Sequence, residues 1–229
     1  MAGRPAGHQA LLDAASAEFA GRGYYATSIR DIAARAGVSL SALYHYYPGK
    51  HALLAALLHE GMDAYFALCD DALAEAGRDP AGRLAAVVGA TVRYRAERSV
   101  ASLILINEAR ALPEEMAAAY RERERQATEL FRSAIDGGIA SGIFTTPYPD
   151  DARRTIIAAC NAVAQWYRPD GPVPLDALVE RYVTLAYTLL GYRRRTPLAR
   201  ALIGPALSDT ALNATALSDS GIDTTGARE

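Results

Sequence analysis

The side chains best suited to chemistry are few and poorly placed for catalysis. All four histidines, His8, His45, His51 and His59, fall in the first quarter of the 229-residue chain. His51 and His59 stand eight positions apart, too far for the adjacent-turn pair with which a helix grips a metal ion. Cys69 and Cys160 are remote from each other and form no CxxC pair. Asp70-Asp71 and Asp150-Asp151 are adjacent acids, which point to different sides of a helix or sit at its cap. No GxSxG elbow, HExxH helix or phosphate-cradling glycine loop is present. The expectation is a protein that is not an enzyme, binds no metal and carries no cofactor.

Composition directs attention to binding instead. With 51% apolar and 22% charged residues the chain is globular, and its length suffices for a sizeable core. Charges interrupt the apolar stretches well short of about 18 residues, so no transmembrane helix and no membrane partner are expected. The N-terminus meets acids too early for a signal-peptide core, and two unpaired thiols suit a reducing compartment, which points to the cytoplasm. The net charge of −2 is unevenly distributed: residues 1–50 carry +2, residues 51–192 carry −5, and the rest carries +1. A small basic module is joined to a larger acidic one.

The elements that must position these groups are helices. Leu11, Leu12, Ala15 and Phe19 recur at helical spacing until Gly21-Arg22-Gly23 ends the first helix. Thr27 or Ser28 caps a short second helix, with Asp31 in its first turn; Gly37 ends it, and Ser39 caps a third that Pro48-Gly49 terminates. Two short helices around a glycine turn make a helix-turn-helix pattern. A long fourth helix is expected over 50–75, with further helices near 80–98, 99–111, 113–138, 150–167 and 175–190. No period-2 strand of useful length appears. The fold class is all-α with about nine helices, and residues 193–229, which repeat Ala-Leu-Ser-Asp among Ser, Thr and Asp, read as a disordered tail.

One stretch carries a family resemblance. Thr27-Ser28-Ile29-Arg30-Asp31-Ile32-Ala33, then Ala36-Gly37-Val38-Ser39, Leu43-Tyr44-His45-Tyr46-Tyr47, and Lys50 with Leu53-Leu54 resemble the TetR/AcrR-type one-component transcriptional regulators, over about residues 8–60. Phe19 and Gly23-Tyr24 fall where that pattern expects aromatics and a glycine. Pro48-Gly49 departs from it, occupying a turn where a polar pair is more usual. The resemblance implies a three-helix DNA-binding domain over 1–50 and a helical effector-binding and dimerisation domain over 51–192. It further implies a homodimer that binds a palindromic DNA operator, acts as a repressor and is released by a small effector.

On that reading the third helix enters the major groove without a single charged residue between Ala36 and Gly49. Ser39, Leu40, Ser41, Ala42 and His45 are the base-reading candidates, and Tyr44 and Tyr46 reach phosphates through their hydroxyls. Lys50 and the start of the fourth helix clamp one phosphate, Thr27 and Ser28 offer a second clamp, and Arg4 reaches the backbone from an arm. Tyr47 reads as core. In the acidic domain, polar or aromatic residues embedded in apolar helices mark an expected pocket: Asn107, Glu108, Arg110, Tyr120, Asn161, Gln165 and Trp166, beside Cys160. Ile156, Ile157, Tyr182, Leu185, Ala186 and Leu189 are the dimer-seam candidates. The segment from Gln165 to Gly171 is similar to regulators of lipid, steroid or acyl-CoA catabolism, which makes an acyl-CoA one expected effector, its phosphates met by Arg110, Arg153, Arg154 or Arg168. A helical protein-binding adaptor and an activator of the same fold are the alternatives.

Overall fold

A seven-residue helix leaves most of its backbone groups unpaired, and it forms only where side chains satisfy its ends and a core covers its face. Both conditions hold at the start of this chain. The computed structural model describes residues 6–193. In it α1 (Ala6–Arg22) is followed by two such short helices, α2 (Ile29–Arg35) and α3 (Leu40–Tyr46). Ser28 caps α2: its hydroxyl accepts from the Asp31 amide, and the Asp31 carboxylate accepts from the Ser28 amide in return. Ser39 caps α3 by accepting from the Ala42 amide at 3.1 Å. Between them Gly37 adopts φ of +67°, a left-handed conformation that side chains disfavour, and the chain reverses there. Ile32, Ala33, Leu43 and Tyr47 face inward onto Leu11, Leu12, Ala15 and Phe19 of α1.

The remaining helices are longer. They are α4 (Lys50–Ala76), α5 (Pro80–Glu97), α6 (Ser99–Asn107), α7 (Glu114–Ala140), α8 (Pro149–Trp166) and α9 (Leu175–Leu189), with a 3-10 turn at Ala109–Ala111. The helix expected over 99–111 therefore breaks: α6 stops at Asn107, and the 3-10 turn carries the chain to Leu112. Among the described residues there is no strand.

Helix α5 is the centre of the body, packing on α4, α7, α8 and α9. Two apolar clusters result. One joins α1–α3 to α4, α5 and α6 through Leu53, Leu54, Leu58, Tyr94 and Leu105; the other fills the space among α5, α7, α8 and α9. In the second, the Phe144 ring lies directly on Gly138 of α7, where a Cβ would approach it to 2.0 Å.

By length and composition α4 is long and apolar enough to span a membrane. Its stripe of Leu53, Leu54, Leu58, Met62 and Tyr65 is instead buried against neighbouring helices, as in the central helix of a core. The expected domain boundary at residue 50 coincides with the first residue of α4, which runs unbroken from the α1–α3 head into the body. The tail reading for 194–229 and the role given to Arg4 lie outside the described residues.

Candidate DNA-binding face and effector cavity

Because Leu43 and Tyr47 are drawn into the core, the 3.6-residue period turns the rest of α3 outward. Ser39, Ser41, Tyr44, His45 and Tyr46 are exposed, while Leu40 and Ala42 are half-buried at the edge of the same face. The exposed groups are hydroxyls and one imidazole, able to donate and accept but bearing no fixed charge. His8 braces this helix from α1: its Nε2 lies 2.8 Å from the Tyr47 hydroxyl, and its ring meets Tyr46 edge-on. Tyr47 is buried, as its core assignment requires.

The cations around this face are largely engaged within the protein. Glu18 pairs with Arg22 and, at 3.3 Å, with Arg35; Arg22 also lies 3.2 Å from Asp31. Those hydrogen bonds from Ser28, with Arg22 beside them, hold the Asp31 carboxyl below the usual carboxylate range.

Two expected phosphate contacts need correcting. Lys50 turns inward and donates to the carbonyls of Tyr24 and Thr27, both at 2.7 Å, with its ammonium 4.1 Å from the centre of the Tyr24 ring. Partial burial lowers its pKa. Two of its three N–H donors thus close the α1–α2 turn. Thr27 is 2% exposed, and its hydroxyl donates to Gly23 O at 2.9 Å and Glu18 O at 3.2 Å. Its side chain secures the end of α1 and does not face outward. Ser28 stays exposed, with its hydroxyl on Asp31. One exposed group escaped the sequence reading. Tyr25, 77% exposed, projects from the same turn beside Tyr24; no periodicity marks a residue in a loop.

Among the described residues of the body, a smaller and a larger cavity share Met62 and Tyr120 as a common wall. The smaller, about 120 Å³, lies among α4–α8 and is lined by Tyr65, Thr91, Arg95, Glu124, Phe131 and Asn161 besides the shared pair. The larger, about 460 Å³, lies between α4 and α7 and is mostly apolar, with Ala55, Leu58, Leu112, Met116 and Ala119. His59 and Arg123 stand on its wall, both in contact with Asp63. Burial pushes the hydroxyls of Tyr65 and Tyr120 well above the ordinary phenol range, and the Cys69 and Cys160 thiols up to about 11 and about 12. These thiols are inert packing groups at neutral pH.

Comparison with known proteins decides the family. Residues 11–57 match the family described as "Bacterial regulatory proteins, tetR family", and residues 77–190 match "Tetracyclin repressor-like, C-terminal domain". The HTH-type transcriptional repressor KstR2 of Rhodococcus jostii strain RHA1 is 30% identical over 179 residues, covering 76% of this chain and 86% of its own. The chain belongs to the TetR family of bacterial regulators. A second relative, the HTH-type transcriptional activator FasR of Mycolicibacterium smegmatis, is 31% identical over 193 residues, covering 83% of this chain and 84% of its own. The solved structure of the ketosteroid transcriptional regulator KstR2 of Mycobacterium tuberculosis superposes with a TM-score of 0.72 at 28% identity, covering 82% of this chain and 95% of that one. As a TetR-family member with an intact helix-turn-helix, the chain is a DNA-binding transcriptional regulator.

Of the residues expected to line a TetR-type pocket here, the structure brings Tyr120 and Asn161 together on the smaller cavity. Asn107, Glu108 and Arg110 do not line either cavity. They lie where α6 ends and the 3-10 turn begins, which carries Asn107 and Arg110 to the surface and half-buried Glu108 toward Gly23. Gln165 and Trp166 also miss both cavities: they are exposed at the end of α8, off the stripe of Ile156, Cys160 and Val163 that packs inward. Among the seam candidates, Ile156 and Ala186 are buried within the body and Ile157 lines the smaller cavity, leaving Leu185 and Leu189 exposed. Arg153 and Arg154 pair with Asp150 and Asp151, and Arg168 binds backbone carbonyls, so none of these serves a cavity. The cavity cations are Arg95 and Arg123. Arg95 was legible in principle: with Thr91 it forms an i,i+4 polar pair within the otherwise apolar inner stripe of α5.

Proposed function

We propose that this regulator is a repressor that works as a homodimer, reads a palindromic operator with two copies of α3, and is released when a hydrophobic small molecule, such as a steroid or acyl-CoA-type compound, enters the body. The observation that carries this reading is the path of α4. Its first residue follows the α3 turn, and its middle supplies His59, Met62 and Tyr65 to the cavity walls. Any ligand that reshapes those walls acts on the helix that sets the position of α3.

The readout surface supports the same division of labour. Ser39, Leu40, Ser41, Ala42, Tyr44, His45 and Tyr46 form the base and phosphate contacts, with Ser28 at the edge. A recognition helix without arginine binds weakly alone, so affinity comes from two half-sites held in register. Exposed Trp166, Leu185 and Leu189 on α8 and α9 supply an apolar patch for the partner copy. The head over 1–50 binds DNA, the body over 51–192 binds effector and partner, and the protein acts in the cytoplasm, where DNA is, without catalysis or cofactor.

The KstR2 relative and the steroid class named for its solved counterpart favour repression that a lipid-like effector relieves; the FasR relative, named an activator, makes activation the second reading. Both use the same DNA face. The test is fluorescence anisotropy of the purified full chain on DNA tiled across the regions flanking its own gene, with and without a panel of ketosteroids and acyl-CoAs. Nanomolar binding to a palindromic segment that weakens at least tenfold with one panel member is the expected result. Absence of DNA binding in wild type would favour a protein-binding adaptor, and binding that Tyr44→Phe with His45→Ala leaves unchanged would remove α3 as the reading surface.

A further inference from the structure

The smaller cavity has an unusual balance of hydrogen-bonding groups. Its phenols are already engaged: Tyr120 donates to Leu105 O at 3.0 Å, and the Thr91 hydroxyl donates to Val87 O at 2.7 Å, so Tyr65 donates to Thr91 at 3.1 Å. Arg95 is the exception. Its Nε donates to Asn161 Oδ1 at 3.0 Å, while Nη1 is buried without any partner. Its guanidinium carbon lies 5.5 and 5.8 Å from the ring centres of Tyr94 and Tyr65, which hold the plane in place. Among the described residues Arg95 forms no ion pair, and although Glu124 lines the same cavity it does not come within pairing distance. With its oxygen taken by Arg95, Asn161 also has its amide N–H groups to offer. This end of the cavity is rich in donors, cationic, and short of one anion.

A part-buried guanidinium without a counter-charge is costly, and a carboxylate satisfies it through two parallel N–H···O bonds. We infer that the Arg95–Asn161 end of the smaller cavity recognises the carboxylate of an amphipathic acid whose apolar body passes Met62 and Tyr120 into the larger chamber. Met62 is unbranched and able to swing aside. The inference rests on the proposed effector role of these cavities and narrows the effector to a free acid over its thioester.

The experiment is isothermal titration calorimetry of the full-length protein with three probes of one chain length: decanoate, decan-1-ol and decanoyl-CoA. Wild type is expected to bind decanoate at least tenfold more tightly than the other two. Arg95→Met should remove about tenfold or more of decanoate affinity while changing decanol less than threefold, and Arg95→Lys should retain part of the preference. Asn161→Asp is the decisive variant. It gives Arg95 a carboxylate of its own, so it should abolish the decanoate preference while leaving circular dichroism and Tm intact, which a merely structural role for Arg95 does not predict. Equal binding of acid and alcohol, tighter binding of decanoyl-CoA, no binding of any probe, or an acid preference that survives in Arg95→Met and Asn161→Asp overturns the inference. Operator binding separates it from the wider reading. If decanoate binds through Arg95 but leaves operator affinity unchanged, the carboxylate site stands and effector release fails. If some other hydrophobe releases operator equally from wild type and Arg95→Met, release stands and the carboxylate site fails.

Discussion

In the head, α2 and α3 are seven residues long and each begins on a serine whose hydroxyl accepts a backbone N–H. In the body, α6, α7, α8 and α9 begin with no side-chain cap, although α7 runs for 27 residues and α8 for 18. The head is held by local chemistry: caps, a left-handed glycine, and a lysine closing a turn. The body is held by apolar stripes meeting at distance. Local chemistry fixes a surface rigidly enough to read DNA. Packing of long helices tolerates a cavity, because no single contact decides whether a helix forms.

The largest expected effect tests the packing side of that contrast. Gly138→Ala places a methyl group against the buried Phe144 ring and should destabilise the fold by about 3 kcal/mol, read as a lower urea midpoint. An unchanged midpoint would mean the body relaxes far more readily than its packing implies. In the head, Lys50→Met leaves the Tyr24 and Thr27 carbonyls without their donor and should cost about 2 kcal/mol. If Lys50→Met instead kept full stability and lost only operator affinity, Lys50 would be a phosphate ligand after all.

Ser28→Ala removes the α2 cap and is expected to cost about 1 kcal/mol at neutral pH. Its penalty should shrink in acid. The folded-state pKa of Asp31 is depressed, so its contribution is complete above the unfolded value near about pH 4 and is lost as pH falls through the lower folded value. Urea titrations of wild type and variant at pH 7 and pH 3 measure this; a constant gap would detach Asp31 from the cap. The smallest stability effect belongs to the recognition face. Tyr44→Phe and His45→Ala should each stay within about 0.5 kcal/mol of wild type while lowering operator affinity, which would separate the reading surface from the scaffold beneath it.

The same contrast governs what could be read from sequence. Ser28, Gly37, Ser39 and the aromatic run through Tyr47 act on neighbours within a few positions, so the order of the head's helices and the outward face of α3 were legible. Lys50 and Thr27 misled because their partners are carbonyls of a turn whose direction only the tertiary fold sets. In the body, helix positions followed from periodicity, yet only Tyr120 and Asn161 of the expected pocket residues reach a cavity. A cavity needs residues from five helices to converge, and helical spacing reports a residue's face without saying which neighbour covers it. Trp166 and Gln165 looked like embedded polar and aromatic groups; one position along α8 turned them to solvent.

The unbroken course of α4 has a mechanical consequence. Its 27 residues make a rod of about 40 Å, with the α3 turn at one tip and the cavity walls at Met62 and Tyr65 about 20 Å along it. A tilt of about 5° about that point therefore carries the tip through about 1.7 Å, half the rise of one base pair. A lever of that length turns a side-chain-sized push in the cavity into a shift that the strict spacing of two half-sites registers.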